Sequence, residues 1–155
     1  MTAAKPFLRA ITQADADLIC RHRQAMFAES GRSEADLAAM AWPFRDWLAP
    51  KLARGDYFGW IAEAPAGPVG GVGMMVIDWP PHPLHPTQAH RGYILNLYVE
   101  PAFRGQGLAK ALMAEAMDEA RRRNLAYMVL HATDMARPIY MNLGWSPTKE
   151  LAIAP

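Results

Sequence analysis

Residues 93–110 read Tyr93-Ile94-Leu95-Asn96-Leu97-Tyr98-Val99-Glu100-Pro101-Ala102-Phe103-Arg104-Gly105-Gln106-Gly107-Leu108-Ala109-Lys110. Tyr93–Val99 is an apolar run of strand length, and Pro101 ends it. Arg104-Gly105-Gln106-Gly107-Leu108-Ala109 then puts small residues where a helix begins. Without bulky side chains the backbone N–H groups can approach a ligand closely. The first N–H groups of a helix have no partner inside it, and the helix dipole is positive there. The segment is therefore strand, turn and helix, and the turn is an anion site suited to a diphosphate.

Two familiar nucleotide-binding patterns do not fit. A P-loop requires Gly-x-x-x-x-Gly-Lys-Ser/Thr, which the chain lacks. A dinucleotide fingerprint requires Gly or Ala at the position held by Lys110, and an acid ending the next strand near residue 126. Taken alone, the glycines are also compatible with nothing more than a tight turn.

Outward from this turn, the chain alternates strands and helices. Leu8–Ile11 is a short alternating strand. Thr12-Gln13-Ala14-Asp15 has the shape of a capping box and opens a helix to about Glu29, stopped by Gly31. Ser33-Glu34-Ala35-Asp36 opens a second helical stretch, which Pro43 is expected to kink or split. Tyr57–Glu63 and Val69–Ile77 read as strands joined by a turn at Pro65–Pro68. In the second, Gly70, Gly71 and Gly73 mark a bulge or a close backbone approach.

Pro80–His90 is a loop. Gly105–Arg123 is an amphipathic helix whose outer face is expected to pair Asp118 with Arg122 and Glu119 with Arg123. Arg121-Arg122-Arg123 complements the helix dipole more simply than it forms a nucleic-acid patch. Tyr127–His131 is a further strand, Ala136–Leu143 a short helix ended by Gly144, and Trp145–Ile153 a final extended segment. This alternation argues an α/β or α+β layered domain.

Composition bounds the remaining classes. A chain of 155 residues suits one domain, expected to span residues 1–155. Cys20 is the sole cysteine, so no internal disulfide forms, which fits a cytoplasmic protein. A net charge of +1 offers no attraction to nucleic acid or anionic membranes. Met1–Pro6 leads into no apolar signal core, and no apolar run approaches the ~18 residues of a span. Neither a nucleic-acid nor a membrane partner is expected, and a homodimer is allowed.

The segment Leu97-x-Val99-x-Pro101-x-x-Arg104-Gly105-x-Gly107-Leu108-Ala109 resembles motif A of the GNAT superfamily of N-acetyltransferases, Gln/Arg-x-x-Gly-x-Gly/Ala. About thirty residues downstream, Ala136-x-x-Ile139-Tyr140-x-x-Leu143-Gly144-Trp145 resembles that family's second signature, Ala-x-x-Leu-Tyr-x-x-x-Gly-Phe. The order of elements ahead of these motifs is also similar, so the resemblance covers nearly the whole chain. It implies a mixed central sheet flanked by helices, and acetyl-CoA as the acyl donor.

The resemblance further implies particular roles. Leu97 and Val99, with Tyr98 between them, would hold the pantetheine arm through backbone groups, as an added strand. A backbone N–H near Val99 would polarise the thioester carbonyl. The N–H groups of Gly105, Gln106, Gly107, Leu108, Ala109 and Lys110 would cradle the diphosphate, with Arg104 at the start of the turn. Tyr140 would lie near the coenzyme sulfur as a general acid.

Many relatives place a glutamate about six residues before the position of Val99, where this chain has Tyr93. A lysine-like amine, with a pKa near 10.4, must lose a proton before it attacks. His131, at the end of the strand Tyr127–His131, is the first substitute base, with a reference pKa near 6.5. Asn96 and Glu100 are weaker candidates. His82, His85 and His90 share one loop, but no cysteine or placed carboxylate completes a zinc set, so no metal is expected. That loop and the Trp42–Trp47 region are candidate walls of an acceptor pocket.

The function implied is acetyl transfer from acetyl-CoA to a primary amine of a small molecule or peptide. The alternative is a non-catalytic acyl-CoA-binding domain, favoured by the missing glutamate and opposed by Tyr140.

Overall fold

The computed structural model describes residues 5–155; the reading of the N-terminal stretch falls partly on Met1–Ala4, outside the described residues. Five strands form one sheet in the order β1 (Phe7–Ala10), β2 (Phe58–Ala64), β3 (Gly67–Asp78), β4 (His90–Val99) and β5 (Met128–Leu130). Neighbours run antiparallel from β1 to β4, and β4 with β5 is parallel. The helices are α1 (Ala16–Glu29), α2 (Glu34–Arg54), α3 (Leu108–Arg122) and α4 (Arg137–Asn142).

Alternation along the strands gives the sheet two apolar faces. Val72, Met74 and Ile94 are buried with Leu108, Leu112, Met113 and Ala116 of α3. Between them, Met75 and Leu95 point the other way and pack on the cluster of Ile19, Phe44, Leu48 and Tyr57. Helices α1 and α2 therefore cover one face and α3 the other, giving the expected layered fold.

Local signals mostly act as read. The Thr12 N–H donates to Asp15 Oδ2 at 2.7 Å, although the box closes a 3₁₀ turn before α1 begins. Ser33 Oγ accepts from the Asp36 N–H at 3.1 Å and caps α2. Pro43 does not split the second helix: α2 runs through Pro43 and Pro50 to Arg54, with Gly55 at φ 75° as its cap. Burial of Phe44, Leu48 and Leu52 on one face outweighs the proline penalty of about 3 kcal/mol. On α3, Arg121 pairs with Asp118 at 2.6 Å, while Arg122 reaches Glu119 and Glu115 instead of Asp118. The Arg123–Glu119 pair forms as expected. Residues 143–155 contain no strand, so the final segment does not join the sheet.

The sheet carries one irregularity that matters for the site. Gly71 faces Tyr98 but Gly73 faces Leu95, so β4 has one residue more than β3 between those pairs. This β-bulge falls at Asn96, whose φ is 57°, a left-handed conformation that asparagine tolerates. The extra residue sets Leu95 and Asn96 on the same α1/α2 face. It returns Leu97 and Val99 to the α3 face, where both pack in that core.

Candidate active site

Strands β4 and β5 pair only at Gly92–Met128, Tyr93–Val129 and Ile94–Leu130. Beyond Leu130 the fifth strand ends, and the edge of β4 from Leu95 to Val99 has no strand beside it. The Gly92 N–H donates to Tyr127 O at 3.0 Å, so Gly92 and Ile94 direct their backbone groups toward β5. The bulge shifts that alternation by one residue and turns the backbone groups of Leu97 and Val99 to the open edge. The Val99 carbonyl already accepts from Arg104 Nε at 2.8 Å.

The turn after β4 is held by short-range bonds. Phe103 N–H donates to Glu100 O at 2.8 Å, and Arg104 N–H to Pro101 O at 3.3 Å. Gly105 and Gly107 then take φ values of 73° and 80°. A side chain at either position would meet nothing within 4 Å, so their bareness serves backbone conformation and open access. None of the backbone N–H groups from Gly105 to Lys110 has a partner among the described residues. Ala111 is the first to bond back, to Gly107 O at 3.0 Å. The result is a run of free donors at a helix N-terminus, with room in front of them: a fit for a diphosphate.

The Arg104 side chain is held within the protein. Its guanidinium grips both carboxylate oxygens of Glu29 at 2.8 Å and stands over the Tyr98 ring. It braces the end of β4 to the C-terminal end of α1. Gln106 likewise turns back toward Ala102 O, at 3.5 Å.

Where β4 and β5 part, three side chains form a chain. The Tyr93 hydroxyl lies 2.8 Å from His131 Nδ1, and His131 Nε2 lies 2.8 Å from Glu150 Oε1. Glu150 is an acceptor only, so Nε2 carries the imidazole proton and Nδ1 accepts from Tyr93. Burial pushes the Tyr93 hydroxyl above its ordinary range, with the charge of Arg23 opposing. The sequence reading singled out His131 but passed over Tyr93 as a base and did not notice Glu150.

Tyr140 lies in the other core, edge-on to Trp145 at 6.4 Å and grouped with Val99 and Leu108. Burial raises its hydroxyl to about 12. The sheet thus separates Tyr140, on the α3 face, from Arg23, Asn96 and Phe44 on the α1/α2 face. Among the other base candidates, Asn96 is buried and bonded to Tyr57 and Arg23. Glu100 faces Tyr98 at 3.4 Å.

The histidine loop lies elsewhere. His85 is buried; its Nε2 accepts from Arg91 Nε at 2.8 Å and its ring packs on Tyr127. Gln88 ties the loop to the backbone at Asn124 and Ala126. These contacts pin the loop to the N-terminal ends of β4 and β5, away from the open edge. In the Trp42–Trp47 region Phe44 does reach β4, through Arg23, while Trp42 is exposed and Trp47 stacks on Phe44.

This arrangement has close counterparts. The acetyltransferase (GNAT) family model matches residues 18–145. The chain belongs to the GNAT family. A crystal structure of a GCN5-related N-acetyltransferase from Ralstonia eutropha JMP134 is 53% identical, with a TM-score of 0.95 over 97% of this chain and 98% of that one. A predicted acetyltransferase from Clostridium acetobutylicum, solved with acetyl-CoA, is 27% identical, with a TM-score of 0.86 over 97% and 96% of the two chains. Among curated proteins, the uncharacterized N-acetyltransferase YjgM of Escherichia coli (strain K12) is 28% identical over 143 residues, 90% of this chain and 81% of its own. The GNAT chain described here is accordingly an acyltransferase with the family's mixed sheet, and no described helix is long and apolar enough to cross a membrane.

Proposed function

We propose that this GNAT protein transfers an acetyl group from acetyl-CoA to a primary amine of a small molecule or peptide. The observation that carries the reading is the open edge of β4 leading straight into the free donors of Gly105–Lys110. Acetyl-CoA supplies an activated acyl carbon and a thiolate leaving group. The backbone of Leu97 and Val99 receives the pantetheine arm as a strand would be received, and the N–H groups of Gly105–Lys110 hold the diphosphate. The Val99 N–H faces the carbonyl oxygen that gains charge during attack.

Proton movement follows from the two hydroxyls. Tyr93 takes the amine proton as it passes its own to His131 Nδ1, and Glu150 stabilises the imidazolium that forms. This route answers the missing glutamate and favours catalysis over a purely acyl-CoA-binding domain. Tyr140, raised to about 12, stays protonated. A thiol has a pKa near 8.5, so full transfer from Tyr140 to the leaving sulfur would be uphill by about 5 kcal/mol. Tyr140 therefore donates a hydrogen bond to the thiolate as the C–S bond breaks, and the coenzyme takes its proton from water afterwards.

The test is thiol release with acetyl-CoA across a panel of amines and peptides. Acceptor-dependent release is expected. Tight acetyl-CoA binding with no release from any acceptor would return the chain to the acyl-CoA-binding reading.

A further inference from the structure

Arg23 is a cation without a counter-ion. It projects from α1 toward β4, where its Nη1 donates to Asn96 Oδ1 at 2.7 Å. The rings of Phe27 and Phe44 lie against the guanidinium, 4.8 and 4.5 Å from its carbon. Nε is buried with no acceptor, and Nη2 has no partner among the described residues. No described carboxylate lies within 4.0 Å of it, whereas Arg9, Arg104 and Arg122 each hold one. The titratable groups that sense its charge are Tyr57, Tyr93 and Cys20, all neutral in their ordinary state.

Such an arrangement is costly as a purely structural device. A desolvated charge loses several kcal/mol of hydration, and proteins ordinarily offset this with an acid. Burial accordingly pulls the guanidinium below its ordinary range. Yet the residue is carefully held. The Asn96 Nδ2 donates to the Tyr57 hydroxyl at 2.8 Å, which fixes the amide so that Oδ1 faces Arg23. The Tyr57 hydroxyl lies where a side chain at position 73 would be, 2.1 Å from the site of an added Cβ, so Gly73 makes room for it. A bare glycine, a buried tyrosine and a bulged asparagine are thus spent on aiming one arginine. Its Nη2, which has no partner among the described residues and is not among the buried atoms, is left for something outside the fold.

The guanidinium presents there a charged, planar donor group that suits a carboxylate. It belongs to the face of the sheet that holds Tyr93, close enough for its charge to act on the Tyr93 hydroxyl. Resting on the transferase reading above, we propose that Arg23 anchors a carboxylate of the acceptor, which is therefore an amino acid or another small amine bearing an acid near the amino group. The amine then lies toward Tyr93 while the acid is held by Arg23, and the bound anion supplies the missing counter-charge.

The test compares phenylalanine and methionine with their carboxamides and with the matching decarboxylated amines. Thiol release with acetyl-CoA reports turnover, and calorimetry in the presence of coenzyme A reports binding. Wild type is expected to favour the free acids at least tenfold in kcat/KM and in affinity. Arg23→Gln should erase that preference while acetyl-CoA binding persists. Asn96→Asp provides an internal counter-ion without loss of packing, and should erase the preference too. Equal use and equal binding of acid and amide by wild type overturns the inference and leaves the transferase reading intact. Binding of the acids through Arg23 with no turnover has the opposite meaning: the anchor stands and acetyl transfer falls. No binding of any acid and no preference in turnover overturns the anchor.

Discussion

The Tyr93 hydroxyl and His131 Nδ1 face each other at 2.8 Å across the last paired residues of β4 and β5. The pair joins the interior of the sheet to an exposed imidazole backed by Glu150, and so gives a proton a way out. Removing the hydroxyl while keeping the ring breaks that route without emptying the space. Tyr93→Phe is expected to lower kcat by about 10²-fold or more, the usual worth of a general acid–base group. His131→Gln should fall comparably, while Glu150→Gln should cost less. Wild-type turnover in Tyr93→Phe, with chemistry rate-limiting, would remove the route from the mechanism.

Coenzyme binding is expected to depend on backbone conformation at Gly107 more than on charge. With φ at 80°, a β-branched residue there is strained and would turn the donors away. Saturating coenzyme A should stabilise the wild-type fold by about 2.7 kcal/mol at a hundred times its dissociation constant. Gly107→Val should abolish that thermal shift and leave the unliganded protein folded. A full shift in the variant would mean that the diphosphate is held elsewhere.

Tyr140→Phe is expected to reduce turnover by about 10²-fold with coenzyme affinity nearly unchanged. Because burial raises the hydroxyl to about 12, no basic limb from Tyr140 should appear in the rate profile below roughly pH 11. A basic limb near 10 that vanishes in Tyr140→Phe would show a hydroxyl far less shielded than the fold implies.

His22 gives a pH dependence of stability separate from catalysis. Its ring is buried against Tyr98, and desolvation lowers its pKa from 6.5 to about 4. Glu100 stands 3.8 Å away, beyond hydrogen-bonding reach, so burial outweighs the attraction. The unfolded chain takes up a proton below pH 6.5 and the folded one only near 4. Stability is therefore full above about 6.5 and declines as pH falls toward 4, by about 3 kcal/mol. Urea melts across this window should show the slope in wild type and a flatter one in His22→Gln. Identical slopes would assign the loss to other groups.

Much of this was legible in the sequence where the signal is local. The turn at Arg104–Ala109, the caps at Thr12 and Ser33, and the helix stop at Gly31 each follow from residues within a few positions of one another. Whether Pro43 splits the second helix was not legible, because the proline is a local signal and the packing of Phe44 and Leu48 that holds the helix together is not. Asn96 sits inside an apolar run that reads as plain alternation, so nothing announces the bulge. Glu150 meets His131 from a segment without periodicity. Arg23 falls beside the apolar stripe of α1 and resembles any solvated helix residue until its partners are counted. Site residues that depend on long-range meetings stay hidden, while those that depend on backbone shape do not.

The bulge at Asn96 also makes one residue of β4 dispensable to the sheet. Deleting one residue from β4 would leave a strand of good propensity that still pairs with β3. Where the residue lost is Asn96, Leu95 keeps the α1/α2 face and Leu97 and Val99 the α3 face, but the amide that holds Arg23 is gone. Loss of the bulged residue is thus expected to be tolerated by the sheet and costly to the site, and it would pass unnoticed in any assay that scores folding alone.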